Sequence, residues 1–437
     1  MRVKSSLMGF IALSSVTCHA SDESQIKNLQ DQIDQLKTHY ETLQTAQQNN
    51  HAASANAFNP SIALILNGQY GSFSRSPDEY KIQGFIPGDG EIGPGKRSFN
   101  LGESELTLSA NIDPEFAGQL TFSITPEQTA DVEEAFFQTI QATNGFNFRA
   151  GRFLSSIGYL NSQHAHAWDF VDAPLVYQAF FVGQYKPDGL QAKWLAPSDF
   201  FFEIASEAGN GHQFPGNDRN KNGTGAGSLA LHAGDDIGIS ASWKAGVSYL
   251  SSAAKNRVYT DLDGAGLSVN NAFTGDSKTV IADFIYKWSP NGNGMRTNLK
   301  IQGEYFSRRE NGNLMYDIES SSLGIMNTNY ESKQTGWYLQ SVYQFMPLWR
   351  AGLRYDKLDS GSQNIGAINN GALTSADFSR LEAFKPSRKT LMFDYSPSEF
   401  SRFRLQFAAD QSQPGETDRE ILLQYIMSLG VHGAHLF

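Results

Sequence analysis

Thiols and long apolar runs are both scarce in this sequence. Cys18 is the one cysteine in 437 residues, and it falls inside a predicted signal peptide. The mature chain therefore has no disulfide, no thiolate metal ligand and no cysteine nucleophile. Hydrophobic residues make up 40% of the chain, and they nowhere form the run of about 18 apolar residues that a membrane-spanning helix needs. These absences exclude a helical membrane protein.

Basic residues are also in the minority. Arg2 and Lys4 precede an apolar stretch that ends in small residues at Ala20, which predicts a secretory signal peptide over residues 1–20. Its removal reduces the 34 basic residues to 32 against 45 acidic residues, a net charge of about −13. A chain of this charge without a basic tract offers nucleic acid no electrostatic footprint, so we exclude nucleic acid as a partner.

A heptad pattern follows the signal peptide. Apolar residues are spaced alternately by three and four positions at Ile26, Leu29, Ile33, Leu36, Tyr40 and Leu43. This seam predicts a short periplasmic coiled coil over residues 21–44, which is marginal unless an oligomer holds it. An amphipathic helix is the alternative. Ile at a and Leu at d favour two strands, whereas the barrel described next favours a trimer, so both states stay open. Residues 45–60, rich in Gln, Asn and Ala, are predicted to be a linker.

Residues 61–437 alternate between apolar and polar side chains. Leu106, Leu108 and Ala110, for example, oppose Glu105 and Thr107, and we count sixteen such segments. Their connections are short and long in turn, and the long ones lie near residues 74–97, 155–186, 209–225, 253–276, 310–329 and 359–386. This combination is typical of bacterial outer-membrane proteins. The predicted fold class is all-β, a transmembrane antiparallel β-barrel of about 16 strands.

Four tryptophans provide an independent test of this topology. On the predicted apolar face, each lies beside one of the short turns: Trp194, Trp243, Trp288 and Trp349. Aromatic rings gather at membrane interfaces because they are amphipathic. A soluble sandwich or propeller, the alternative, would expose them to water. The short turns are therefore predicted to be periplasmic.

The longest insertion between strands is Ser155–Lys186, which becomes the third external loop. Barrels of sixteen or more strands enclose an aqueous channel, and we expect this loop to fold inward and narrow it. Its apolar residues are predicted to pack on the inner wall: Val171, Leu175, Val176, Phe180 and Phe181. Trp168, Asp169 and Asp172 are predicted to lie at the constriction.

Charges of both signs are predicted to face the lumen. The basic ones include Arg149, Lys193, Lys244 and Lys300, and a cluster on three consecutive strands consists of Arg350, Arg354, Arg388, Arg402 and Arg404. Rings of basic residues select anions in pores. The same arginines can instead form structural pairs with lumen-facing acids such as Glu304, Asp356 and Asp394. Both interpretations remain open at this stage.

Four histidines are candidate metal ligands: His164, His166, His432 and His435. Two imidazoles at i and i+2 share a face of an extended chain, and this donor type suits zinc. Ordinary polar loop residues are the alternative, because no acid stands at ligand spacing. We predict no other cofactor and no enzyme, since no Gly-x-Ser-x-Gly elbow occurs and His232 is the only histidine within a strand.

The order of segments resembles a known group of proteins. The signal, coil, linker and barrel, with the run NFRAGRF before loop three, resemble the phosphate-selective porin O and P group and the DcaP-type trimeric channels. Two strings, IGYLNSQHAHAWDFVDAPLVYQ and LQYIMSLGVHGAHLF, resemble proteobacterial outer-membrane proteins labelled as zinc-regulated or TonB-dependent receptors. The resemblance implies a homotrimer and, through the second label, zinc at the four histidines. A TonB-dependent receptor would need a plug domain and a barrel of about 22 strands.

We therefore predict a porin-like channel in the bacterial outer membrane, with its coiled coil in the periplasm. It would be a homotrimer surrounded by outer-membrane lipid that passes small solutes or ions by passive diffusion, constricted by the third external loop. Two alternatives remain. One is a zinc-linked receptor or metal-binding uptake protein, and the other is a non-conducting barrel that anchors the coil.

Overall fold

The computed structural model describes residues 60–88, 92–124, 129–140, 144–415 and 417–430. The predicted signal peptide and coiled coil, and residues 45–59 of the predicted linker, lie outside these residues. So do His432 and His435. The periplasmic coiled coil and the metal role of these two histidines stay predictions.

The described residues form eighteen β-strands. Their bounds are β1 (Ser61–Phe73), β2 (Ser98–Leu101), β3 (Ser104–Asn111), β4 (Phe116–Ile124), β5 (Ala130–Thr139), β6 (Phe146–Arg152), β7 (Asp188–Leu195), β8 (Phe201–Gly209), β9 (Ala226–Ile237), β10 (Ala241–Leu262), β11 (Ser268–Trp288), β12 (Asn298–Tyr316), β13 (Met326–Met346), β14 (Trp349–Asp359), β15 (Gln363–Ile365), β16 (Ser387–Ser398), β17 (Ser401–Gln411) and β18 (Asp418–Gly430).

The strands close into one antiparallel barrel. Neighbours in the chain pair with each other, and β1 pairs with β18 from Ala63 opposite Gly430 to Phe73 opposite Glu420. At two places in the barrel wall, two consecutive strands together occupy the position of one. β2 and β3 both pair with β1, and β14 and β15 both pair with β13. The wall therefore has sixteen positions, which confirms the predicted strand number.

Side chains alternate between the lumen and the outer surface along each strand. On β13, Leu339 is 52% exposed on the outside, whereas its neighbours Tyr338 and Gln340 are buried inside. Side chains of any strand alternate between its two faces with a period of two residues. An apolar outer face suits contact with lipid. The predicted tryptophans lie at the short-turn ends of their strands, and Trp349 stacks on Tyr395 with ring centroids 4.6 Å apart.

The predictions of two external loops are wrong. Residues 253–276 and 310–329 are mostly strand, because β10 to β13 are 19 to 22 residues long. Crossing the hydrocarbon needs only about 9–11 residues per strand, so these strands continue well past that length. Their far ends carry polar residues on the outer side, such as Asn311, Asn313, Asn327 and Asn329. That composition resembles a loop, yet cross-strand pairing continues as far as Tyr316 opposite Met326.

Helical segments occur only in the connections among the described residues. The two α-helices are α1 (Leu175–Phe181) and α2 (Gly366–Asn369), and single 3₁₀ turns cover Pro77–Glu79, Leu160–Ser162, Ala165–Ala167, Pro290–Gly292 and Ser375–Leu381. Within the part of the chain described, no helix has the length and apolar character to span a membrane.

Candidate functional site

Loop three connects β6 to β7 and is buried against the inner wall. Pro174 precedes α1, and the helix ends where Val182 adopts a left-handed conformation with φ of 54°. All seven residues of α1 are buried. The first backbone N–H of the helix, at Leu175, donates to Asp356 Oδ1 of β14 at 2.9 Å. A carboxylate is favourable there because the first N–H groups of a helix lack partners within it.

An apolar core joins loop three to the wall of β10 to β14. Phe180 and Phe181 are at most 1% exposed, and their rings lie 5.7 and 5.8 Å from the ring of Phe306 on β12. Leu175 and Val176 belong to the same cluster. The predicted packing of the loop on the inner wall is therefore confirmed, with Val171 half-buried at its edge.

Asp169 forms an ion pair with each of two wall residues. Lys300 of β12 contacts its Oδ2, and Arg350 Nη1 of β14 lies 3.1 Å from its Oδ1. Arg350 also pairs with Asp394 of β16 at 2.5 Å. Burial by itself would raise the pKa of Asp169, but the charges of Lys300 and Arg350 outweigh it and hold that pKa well below its usual range.

Asp172 is bound by the next two arginines of the cluster. Arg354 Nη2 lies 2.9 Å from Oδ1 and Arg388 Nη1 lies 2.5 Å from Oδ2, while Gln406 donates to Oδ1 at 2.8 Å. Burial opposes ionisation here too. The charges of Arg354 and Arg388 outweigh burial and lower the pKa of Asp172 to about 2.

The arginine cluster also binds the backbone of loop three. Three guanidinium groups donate to successive loop carbonyl groups: Arg402 to His166, Arg404 to Trp168 at 2.8 Å, and Arg388 to Ala173 at 2.6 Å. Arg354 and Arg388 are almost fully buried. Of the two interpretations open from the sequence, this geometry favours structural pairing for these arginines.

Acids of the wall bind the N–H groups of the loop. Glu304 of β12 accepts from the backbone of Leu160 at 2.9 Å and from the hydroxyl groups of Tyr177 at 2.8 Å and Tyr338 at 2.7 Å. Glu207 of β8 accepts from the backbone of Ser156 at 2.8 Å. Buried carboxylates need such donors, so the lumen-facing acids and bases together form a polar cradle for loop three.

Two of the predicted constriction residues make local contacts. Trp168 is 7% exposed and its indole N–H donates to the carbonyl of Gln163 at 3.0 Å. Arg149 of β6 is half-buried; it donates to Gln138 Oε1 at 2.9 Å, and its guanidinium lies 4.1 Å from the ring centroid of Phe136. Arg149 thus belongs to the wall rather than to the cluster around Asp169 and Asp172.

A second group of basic residues, which we name the basic ring, lies near the short-turn ends of the strands. Its members face the lumen within four residues of a strand end: Arg149, Lys193, Lys244, Lys287, Lys300, Arg350 and Arg402. All seven are half-buried, and Lys287 lies directly opposite Lys300. Three acids, Glu203, Asp236 and Asp394, share this level, and Asp394 lies directly opposite Arg350. Like charges opposite one another destabilise a sheet, so this arrangement favours an anion nearby.

His164 and His166 meet three glutamates of the wall. Glu105 of β3 accepts from both rings, while Glu133 and Glu134 of β5 lie 3.3 and 3.2 Å from nitrogens of His164. The two rings stack with centroids 5.5 Å apart. Burial opposes the charged form of His164, but hydrogen bonds with the three glutamates raise its pKa well above the usual value.

A β-bulge turns both glutamates of β5 inward. Thr121 of β4 pairs with Glu134 and the next residue, Phe122, pairs with Val132, so Glu133 has no opposite residue. A bulge redirects side chains in this way. These acids are not at ligand spacing from the histidines in the chain, so the sequence did not reveal them. The signal available was the consecutive pair of glutamates, which breaks the alternation of β5.

The two aspartate sites predict an acid limit for loop docking. Because both folded-state pKa values lie below the unfolded value of about 3.9, the carboxylates contribute their full stabilisation above pH of about 4. That stabilisation is lost as pH falls from 4 towards 2. We expect the thermal unfolding midpoint in detergent, followed by circular dichroism, to drop as the pH falls below about 4.

The matched variant for this prediction is Asp169→Asn/Asp172→Asn. This variant should be less stable than the wild type at pH 7. Its unfolding midpoint should fall less on acidification, because two of the titrating groups are gone. Parallel midpoint curves for the two proteins below pH 4 would contradict the assignment.

These features define the class: a closed sixteen-position barrel of the porin-like outer-membrane type, with its third loop held inside. The fold matches a loop L8 deletion mutant of OmpT, an outer membrane protein of Vibrio cholerae, with a TM-score of 0.51 and 11% identity over 85% of this chain and 99% of that chain. The resemblance expected from the sequence is thus confirmed at the level of the fold. The outer-membrane channel DcaP of Acinetobacter baumannii aligns with a TM-score of 0.49, at 11% identity over 85% of this chain and 97% of its own.

A relative in sequence is known as well. An uncharacterized protein of Aquifex aeolicus (strain VF5) is 30% identical over 410 residues, which are 88% of this chain and 81% of the relative. The chain belongs to the same protein family as this relative. No family model matches the sequence.

Proposed function

We propose that the protein is a trimeric outer-membrane channel for the passive diffusion of small anionic solutes, constricted by loop three. The observation that carries this proposal is the pair of charged layers in the lumen. One layer, around Asp169 and Asp172, holds the loop on the wall of β12 to β17. The other, the basic ring, lies near the short-turn ends and shares Lys300 and Arg350 with the first layer.

The preference for anions rests on the basic ring rather than on Arg354 and Arg388. In the cluster, Arg354 and Arg388 are neutralised by Asp172 and Asp356. The ring has seven cations and three acids at one level of the inner wall, and Asp169 of loop three pairs with two of the cations, Lys300 and Arg350, so cations remain in excess. Fixed basic charge around a water-filled lumen attracts anions and repels cations. This local excess is notable in a chain whose net charge is −11.

We propose no catalytic role. His232, the histidine within a strand, faces Asp283 at 3.4 Å, and neither of its ring nitrogens has a hydrogen-bond partner. A serine nucleophile would donate its hydroxyl hydrogen bond to a ring nitrogen of its base, and no serine does so at His232. The arrangement therefore supports a buried structural histidine.

Charge reversal in the basic ring tests the proposal. The wild type, reconstituted in planar bilayers under a salt gradient, should open in conductance steps with a reversal potential that reports anion preference. Lys193→Glu/Lys244→Glu/Lys287→Glu should shift that potential towards cations, because three positive charges at one level become three negative ones. Openings grouped in threes would report the trimer.

Lys385→Glu is the matched control, since Lys385 is 66% exposed on the external side and pairs with Asp359. It should leave the reversal potential unchanged. Absence of conductance steps in the wild type would contradict the channel itself. Cation preference in the wild type would contradict only the anionic solute.

A further inference from the structure

The histidines of loop three lie among acidic side chains between the loop and the strands β3 and β5. Four acids surround them: Glu103, Glu105, Glu133 and Glu134. The permanent cations beside them are Lys186, 3.6 Å from Glu133, and Arg149, which acts on Glu134. The acids outnumber these two cations. A divalent cation is a ligand that such a group of carboxylates and imidazoles attracts.

Three donor atoms in this group already stand at the spacing of metal ligands. One atom from each of Glu105, His164 and His166 lies within 4.8 Å of the other two. Glu105 bridges the rings, with Oε1 2.7 Å from His166 Nδ1 and Oε2 3.4 Å from His164 Nδ1. A metal ion would take the place of the protons now shared between these atoms.

A further acid, Glu133, comes from the bulge of β5. It is 1% exposed; its Oε1 lies 3.6 Å from Lys186 Nζ, and its Oε2 lies 3.3 Å from His164 Nδ1. Glu133 stands beside the three donors rather than among the atoms that lie within 4.8 Å of one another. A buried carboxylate is costly without cations or donors around it, so a metal ion held by the three donors would also stabilise Glu133.

We propose that Glu105, His164 and His166 bind a divalent transition-metal ion, with Glu133 beside the site. Imidazole and carboxylate together suit zinc and its neighbours in the first transition row. Magnesium and calcium prefer shells made only of oxygen. The bound ion would join the first half of loop three to β3 and β5, on the side of the barrel away from the Asp169 and Asp172 pairs.

The test is isothermal titration of the untagged full-length protein in detergent with zinc chloride. The wild type should bind one zinc ion per chain at this site. His164→Ala/His166→Ala and the near-isosteric Glu105→Gln should each weaken zinc binding by at least about tenfold, since even outer-shell changes cost about 10- to 100-fold in metal affinity. Cobalt added in place of zinc should give a visible absorption band that the double variant lacks.

Two control variants keep the result specific. His212→Ala removes a histidine of another external loop, and His432→Ala/His435→Ala removes the tail histidines. Both should bind zinc with the wild-type affinity at the loop-three site. Conductance in planar bilayers and the heat-induced shift on gels show that each variant has folded.

Three results would overturn the proposal. The first is a wild type with no saturable zinc binding. The second is equal affinity in the wild type and in both Glu105→Gln and the loop-three double variant. The third is loss of binding only in the tail variant. Displacement of zinc by equimolar magnesium would also reject an imidazole site.

Discussion

Replacing Gly158–Gly183 with a short Gly-Ser linker is expected to raise single-channel conductance severalfold. These residues pack inside the barrel on β10 to β14 and form ion pairs with β12, β14 and β16, so water would take their place on removal. The linker can close because the ends of the loop are adjacent: the N–H of Ser155 donates to the carbonyl of Tyr185 at 3.2 Å. The wall charges that the loop now covers would be hydrated, so the barrel itself should persist.

The control for this deletion is a similar replacement in an external loop that lies outside the lumen. Residues 319–324 connect β12 to β13 and are mostly exposed. Replacing them should leave conductance close to that of the wild type. If both variants conduct like the wild type, loop three does not set the width of the channel. Proper insertion of both is checked by circular dichroism before the bilayer measurement.

Arg388→Ala is expected to be the most destabilising single substitution in the cradle. Arg388 is 1% exposed; it pairs with Asp172 at 2.5 Å, lies 3.6 Å from Asp356 and 3.8 Å from Asp410, and donates to the carbonyl of Ala173. Its loss leaves three buried carboxylates with less positive charge among them. Breaking a buried pair in this way costs about 3–5 kcal/mol, measured as the free energy of unfolding in urea with lipid vesicles.

Lys385→Ala breaks a comparable ion pair at the surface. Lys385 lies 2.8 Å from Asp359, and the side chains are 66% and 39% exposed. Such a pair is worth about 0–1 kcal/mol because water and salt screen it. A difference of less than about 1 kcal/mol between the two variants would show that the Arg388 network does not hold the loop.

Much of the architecture could be predicted because strand alternation is local. Each strand has an inner and an outer face that its own residues define, as Tyr338 and Leu339 illustrate. The sixteen-position wall and the tryptophan positions follow from this pattern, whereas the inward loop was expected from its length and from the width of the barrel. The errors arose where polar outer faces continued beyond the membrane, in the long hairpins of β10 to β13.

The interpretation of the arginine cluster shows what alternation leaves open. It placed Arg354 and Arg388 on the inner wall correctly, but a lumen-facing arginine can meet solute, a wall acid or a loop. The partner, Asp172, is separated from both by about two hundred residues of chain, and only the docking of loop three brings them to 2.9 and 2.5 Å.

The sequence alone determined the barrel, its strand number and the face on which each side chain lies, because these depend on a period of two residues. The tertiary structure decided which charges meet. Ion pairing depends on the register between strands and on one bulge, which moves Glu133 beside Glu134 and both beside His164. Register and bulges are set by contacts between distant parts of the chain. For that reason the acids around the two histidines became visible only in the folded protein.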